Sequence, residues 1–198
     1  GFMHRDIKPE NYLISNTRPS MANKTSSQES IGPGNEQIGT VPFGNSSSSF
    51  ENCTLKLADF GLAKDYRKSR GNHTEYVSTR WYRAPELVLR LQNYNEKVDI
   101  FALGCIMAEL YLGRPIFPGT SESDQLTRIV TVLGAPSRQE WPEGLETATR
   151  KGISFPMVGG QSLKQHLSGS VKNELSDDAI DLLQKMFKYN SEERISAR

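Results

Sequence analysis

Residues 4–11 read His-Arg-Asp-Ile-Lys-Pro-Glu-Asn. Within that octet stand a carboxylate (Asp6), an ammonium (Lys8) and a carboxamide (Asn11), in a stretch too polar to form core. It reads as the working part of an active site. Directly after it, Tyr12-Leu13-Ile14 gives a short strand signal. A second one, Leu55-Lys56-Leu57-Ala58, leads into Asp59-Phe60-Gly61.

Between the two strands, from Ser15 to Thr54, the pattern collapses into polar text such as SSQESIGPGNEQIG. So few large apolar groups cannot bury enough surface to offset the entropy of ordering the chain. Residues 15–54 are therefore read as a disordered, low-complexity insertion. A phosphorylated regulatory loop is the functional alternative. A tolerated surface insertion is the simpler reading, because lengthening a loop costs little.

The chain has 198 residues, enough for one cored domain or one with an appendage. Its 24 Lys and Arg nearly balance 23 Asp and Glu, a formal charge of +1. No basic excess points to nucleic acid or an anionic lipid surface. Cys53 and Cys105 make no disulfide framework, which fits a reducing setting. No charged segment followed by an apolar one marks a secretory signal.

From Val98 to Leu112 almost every residue is apolar, broken only by Asp99, Gly104 and Glu109. A helix apolar all round is expected to be buried on all sides. It is too short for a membrane span, which takes about 20 apolar residues. Asn95 is its expected N-cap and Gly113 its stop. Ser121 with Asp124 opens a second helix, through Leu126, Ile129, Val130 and Leu133 to Gly134. Ser176 caps a third, carrying Ala179, Leu182, Leu183, Met186 and Phe187. Trp141-Pro142-Glu143-Gly144 reads as a turn-rich connector. The expected fold is mainly α with a few short β-strands near the start, an α+β class.

The octet fits the pattern H-R-D-x-K-x-x-N. Asp59-Phe60-Gly61 and Ala84-Pro85-Glu86 follow it in order. These three motifs in this order resemble eukaryotic protein kinases. The resemblance covers the chain apart from the insertion. It implies a kinase C-terminal lobe, with residues 1–198 as a partial kinase domain and the N-terminal lobe absent. No Gly-rich loop over the phosphates is found in this sequence, nor its partner strand lysine and helix glutamate. The chain alone is therefore expected to hold half of an ATP site and to be inactive by itself.

The resemblance implies ATP and Mg²⁺ as cofactors. Asp6 would accept or orient the proton of the substrate hydroxyl. Lys8 would steady the transferring phosphate. Asn11 and Asp59 would offer hard oxygens to Mg²⁺. Leu13 would form the floor under adenine, and Thr79 would bridge Asp6 and Lys8 through its hydroxyl. His4 and Phe60 would stack in an apolar spine. Asp99 would be held by backbone N–H groups of the octet, and Glu86 with Arg194 would form a buried ion pair. Glu10 reads as solvated. Thr74-Glu75-Tyr76 is a T-x-Y pair, and in similar kinases both hydroxyls are phosphorylated, each adding about two negative charges. Arg5 and Lys64 are the candidate partners of phospho-Thr74. Arg80 and Arg83 are those of phospho-Tyr76.

Arg83 within Trp81-Tyr82-Arg83-Ala84-Pro85-Glu86, with Arg114–Gly119, resembles the CMGC group of cyclin-dependent and MAP kinases. The text at Tyr76–Arg80, Trp141–Gly144 and Phe155-Pro156 is most similar to the male germ cell-associated and intestinal-cell kinases, with MAP kinases next. The implied activity is transfer of the ATP γ-phosphate to protein Ser or Thr followed by Pro. The implied partners are protein substrates and an upstream activating kinase, with no nucleic acid and no membrane insertion. The implied setting is intracellular: cytoplasm, cilium or flagellum, or nucleus. The rival from another class is a catalytically silent helical lobe that docks partners.

Overall fold

The computed structural model describes residues 1–16, 53–65, 79–155, 163–168 and 175–197. In chain order the elements are β1 (Phe2–Met3), β2 (Tyr12–Asn16), β3 (Cys53–Leu57), β4 (Lys64–Asp65), α1 (Pro85–Val88), α2 (Lys97–Leu112), α3 (Glu122–Leu133), α4 (Pro142–Arg150), α5 (Leu163–Ser168) and α6 (Asp177–Met186). They form two compact units. One comprises Gly1–Asn11 with Asp59–Arg198, the other Tyr12–Ala58.

The smaller unit contains an antiparallel hairpin. β2 and β3 pair from Tyr12↔Leu57 to Asn16↔Cys53. The ladder is longer than the sequence predicts, because polar residues still donate backbone hydrogen bonds. Ser15, Asn16, Cys53 and Thr54 thus leave the predicted insertion and join the strands. The rest of that insertion lies outside the described residues.

The larger unit is mainly helical, with β1 and β4 paired through Phe2↔Asp65 and Met3↔Lys64. Its helices start and stop for local reasons. Ser121 Oγ accepts the Asp124 N–H at 3.1 Å, and Ser176 Oγ accepts the Ala179 N–H at 3.2 Å, so each satisfies an otherwise orphaned helix donor. α2 ends at Gly113, whose φ of 68° is the left-handed conformation glycine adopts without strain. At its other end the predicted cap shifts. Asn95 Oδ1 accepts the Lys97 N–H at 3.1 Å, closing a turn two residues on, and Glu96 takes the cap position.

Trp141–Gly144 corrects the sequence reading: it is a helix start, not a connector. Pro142 occupies the first turn of α4, where its missing N–H costs nothing. A Cβ on Gly144 would lie 2.1 Å from the Trp141 indole, so bare backbone is what lets the ring fold under the helix. α1 and α5 escaped the sequence analysis because four and six residues are too few for a periodicity to show.

α2 is the centre of the larger unit. Phe101 of this helix meets Phe117 at 6.0 Å and Phe187 at 5.2 Å between ring centroids, and all three are buried. The expectation of burial on all sides is not met: seven of the 16 residues of α2 are buried, most of the others are half-buried, and Leu103, 40 % exposed, and Leu110, 80 % exposed, face outward. These two lie seven residues apart, hence on one face, and no described element covers it.

Gly104 of α2 packs against the end of α6 and the residue after it. A Cβ there would stand 3.0 Å from the Phe187 ring and 3.1 Å from Met186 Cβ. Overpacking of this kind costs about 1–3 kcal/mol, against a helix-propensity gain of at most about 1 kcal/mol. Gly104→Ala is therefore expected to lower the melting temperature of the full-length protein by about 2–8 °C, read by thermal denaturation.

Candidate active site

β1 delivers the chain to His4, and the octet then runs without regular structure until a 3₁₀ turn at Pro9–Asn11. What holds it is the first turn of α2. Asp99 accepts the His4 N–H at 2.6 Å through Oδ2 and the Arg5 N–H at 2.8 Å through Oδ1. Burial pushes the Asp99 carboxyl above its ordinary range, and the two N–H donors pull against that rise. Arg5 needs such an anchor, because its φ of 69° is left-handed, an uncommon place for a side chain larger than Asn.

Asp99→Asn would keep one acceptor and turn an NH₂ group on the other N–H. A buried donor left without a partner costs about 1–3 kcal/mol. The expected result is faster amide exchange at His4 and Arg5, with exchange in α6 unchanged, measured on the full-length protein.

Inside the octet the polar groups converge. Asp6 is only 7 % exposed. Its Oδ2 takes the Lys8 ammonium at 2.8 Å and the Asn11 amide at 3.1 Å, and Asn11 Nδ2 also donates to the Asp6 carbonyl at 2.8 Å. Asn11 spends its donor side on Asp6, which leaves Oδ1 as its oxygen for a cation. The Asp6 N–H donates to His4 Nδ1 at 3.3 Å, and the His4 ring meets Phe60 edge-on at 4.9 Å. Phe60 itself is 60 % exposed.

Asp59 precedes a 3₁₀ turn, Phe60–Leu62, and also has left-handed backbone, with φ 59°. Aspartate tolerates that region better than most side chains. Its carboxylate is exposed. Arg5 ties this turn to the octet, its Nε donating to Leu62 O at 2.7 Å while Nη1 donates to Tyr94 Oη at 3.1 Å.

Thr79 lines one crevice with Arg5, Asp6, Tyr82, Arg83 and Asp99. Lys8 reaches Asp6 directly, and Thr79 stands at the exposed rim. Lys64 is half-buried on β4, and Arg83 is half-buried after the 3₁₀ turn Arg80–Tyr82. Arg80 Nη2 donates to Thr120 O at 2.7 Å, while its buried Nε has no hydrogen-bond partner among the described residues. Thr74 and Tyr76 lie outside the described residues. Leu13 is on β2 of the hairpin unit, 55 % exposed.

Glu86 and Arg194 meet in the interior. Nη1 lies 2.7 Å from Oε1 and Nη2 lies 3.1 Å from Oε2. The guanidinium also donates to the carbonyls of Lys188 and Lys97, and it lies 5.2 Å over the Phe101 ring. Every arm of the buried cation is thereby engaged, which is what makes its burial tolerable.

Sequence reasoning missed three polar partners. Tyr94 receives Arg5. Glu109 accepts the Tyr82 hydroxyl at 2.7 Å, and burial with this bond pushes that phenol far above its ordinary range. Gln125 is completely buried in α3. The signal was present for Gln125, since it shares its helical phase with the buried Ile129 and Val132.

A profile of the protein kinase domain matches residues 1–198, and the chain belongs to that family. It is 39 % identical over 197 residues to the serine/threonine-protein kinase ICK of Mus musculus. It is 38 % identical over the same length to the serine/threonine-protein kinase MAK of Homo sapiens. Each alignment takes in the whole of this chain and 25 % of the relative. A mitogen-activated protein kinase of Schizosaccharomyces pombe is 35 % identical over 201 residues, 43 % of its length. The chain thus spans a quarter of the length of the ICK and MAK kinases it matches.

Proposed function

We propose that the full-length protein containing this chain transfers the ATP γ-phosphate to Ser or Thr of protein substrates, favouring sites followed by Pro. The observation that carries this reading is the joining of Asp6, Lys8 and Asn11 on one buried carboxylate, in a loop held by Asp99. A carboxylate paired with an ammonium can receive a hydroxyl proton while the cation faces an anionic group. Asp6 accepts or orients the proton of the attacking hydroxyl, and Lys8 balances charge on the phosphate in flight.

Asn11 Oδ1 and the Asp59 carboxylate are the oxygens we assign to Mg²⁺. Among the described residues no group of three His, Cys, Asp or Glu side chains gathers to hold a metal alone. The donor set fits all the same, because Mg²⁺ takes one or two protein oxygens and completes its shell with phosphate and water. When bound, the ion neutralises phosphate charge. The contact of Leu13 with adenine rests on the family resemblance. Residues 17–52 are read as a tolerated insertion. No described helix is long and apolar enough to cross a membrane, and an intracellular setting, with the cilium among its compartments, follows from the resemblance.

The test is phosphate transfer from radiolabelled ATP to Ser-Pro and Ser-Ala peptides by purified full-length protein. Transfer preferring Ser-Pro, and abolished by Asp59→Asn, is expected. No transfer to any Ser or Thr peptide would overturn the reading.

Regulation by Thr74 and Tyr76 is part of the proposal. The buried Arg80 Nε, which has no acceptor among the described residues, supports this reading. Dual phosphorylation of full-length protein is expected to raise activity at least about tenfold, the equivalent of one charge-assisted hydrogen bond. Thr74→Glu should mimic poorly, since a carboxylate has less charge and fewer acceptors than a phosphate. A Thr74→Ala, Tyr76→Phe variant as active as the doubly phosphorylated protein would remove the switch.

A further inference from the structure

Gln125 is a neutral amide with no exposed surface, on a helix face otherwise given to Leu126, Ile129 and Val130. A polar side chain is kept in such a place only when its hydrogen bonds are made. Its Oε1 accepts the Gly119 N–H at 3.1 Å, and its Nε2 donates to Trp81 O at 3.5 Å. Around it, Trp81 Nε1 donates to Gly119 O at 3.1 Å and Arg80 Nη2 to Thr120 O at 2.7 Å. A Cβ on Gly119 would fall 2.4 Å from Gln125 Oε1 and 2.6 Å from its Cα, so only bare backbone fits against the amide. Residues 80–81 are thereby clamped to residues 119–120, with one buried side chain bonded to both.

The clamped segment is the one beside the catalytic carboxylate. Thr79, Tyr82 and Arg83 line a crevice with Asp6. A protein substrate whose hydroxyl reaches Asp6 must lay its neighbouring residues near this segment. The clamp holds residues 80–81, whereas the groups proposed above to handle the phosphates of ATP stand on the octet and at Asp59.

We infer that Gln125 is a positioning residue for protein-substrate recognition. It fixes Thr79–Arg83 beside Asp6 from the far side, so its loss weakens use of the protein substrate and spares ATP. This rests on the kinase reading above, deepening it from reaction to substrate contact.

The experiment uses full-length protein with Gln125→Met, which keeps volume and removes both hydrogen bonds. Trp81→Phe, which removes only the indole donor, is the second variant in case the first folds poorly. Steady-state kinetics are run with myelin basic protein and with ATP as the varied substrate, beside amide exchange at Gly119 and Arg83. The expected result is a KM for myelin basic protein raised about fivefold or more, with kcat and the KM for ATP within about twofold. The two substitutions together should be no worse than the stronger alone, because they break one clamp. Exchange at Gly119 and Arg83 should quicken, and exchange at Arg5 should not. An unchanged KM for the protein substrate, or a loss of kcat shared with a raised KM for ATP, would overturn the assignment. If wild type transfers no phosphate, the kinase reading fails by itself. Quickened exchange then leaves the clamp standing, and unchanged exchange removes it too.

Discussion

Asp6→Asn in the full-length protein is expected to slow phosphoryl transfer about 10²- to 10⁴-fold, with little change in nucleotide affinity. The substitution preserves shape, and the new side-chain oxygen can still accept from Asn11. It removes the base, since an amide cannot take up the hydroxyl proton. It also removes the negative charge that holds the Lys8 ammonium at 2.8 Å. Lys8 is then drawn toward the phosphates, which supports ground-state binding as much as the transition state and so does not restore the rate. Single-turnover transfer at saturating ATP, with fluorescent-nucleotide binding measured in parallel, separates the two effects. A variant retaining more than about a tenth of wild-type turnover would remove Asp6 from the mechanism.

The largest expected effect on stability belongs to Arg194→Met. Arg194 has no exposed side-chain surface and Glu86 only 3 %. Removing one partner of a buried pair strands the other charge, at a cost of about 3–5 kcal/mol. The carbonyls of Lys188 and Lys97 lose donors as well. For a domain of this size the melting temperature should fall by roughly 6–20 °C. Adding Glu86→Leu should recover part of the loss, because no unpaired charge then stays buried. A shift below about 2 °C for the single variant would mean that water reaches the site and solvates Glu86.

The three interruptions of the apolar helix show how far sequence alone reached. Asp99, Gly104 and Glu109 stand where an apolar residue would be expected, and each faces something only its own chemistry suits. Asp99 meets two N–H groups, Gly104 a phenyl ring, and Glu109 a phenol. The caps at Ser121 and Ser176 were readable because the first helical turn requires an acceptor wherever it falls. What stayed hidden is what depends on distant chain. Gln125 broke the pattern visibly, yet nothing local reveals that it reaches Trp81 and Gly119. Thr79 lines a crevice with Asp6, but sharing a crevice is not a hydrogen bond. The sequence predicts α2 enclosed all round, because periodicity reports what a helix could bury and not what is there to cover it.

The ladder of β2 and β3 runs on through its last pair, Asn16↔Cys53. Partnered residues on antiparallel strands lie about 5 Å apart, so Asn16 and Cys53 end the ladder side by side. In genetic terms this makes segment 17–52 a splice port. On the reading of 17–52 as a tolerated insertion, codons gained or lost there are expected to leave the pairing of Tyr12 with Leu57 in place. The same port accepts a graft. A fluorescent reporter whose own termini lie close together can be inserted at Asn16 and Cys53, labelling the protein while both natural ends stay free for other fusions.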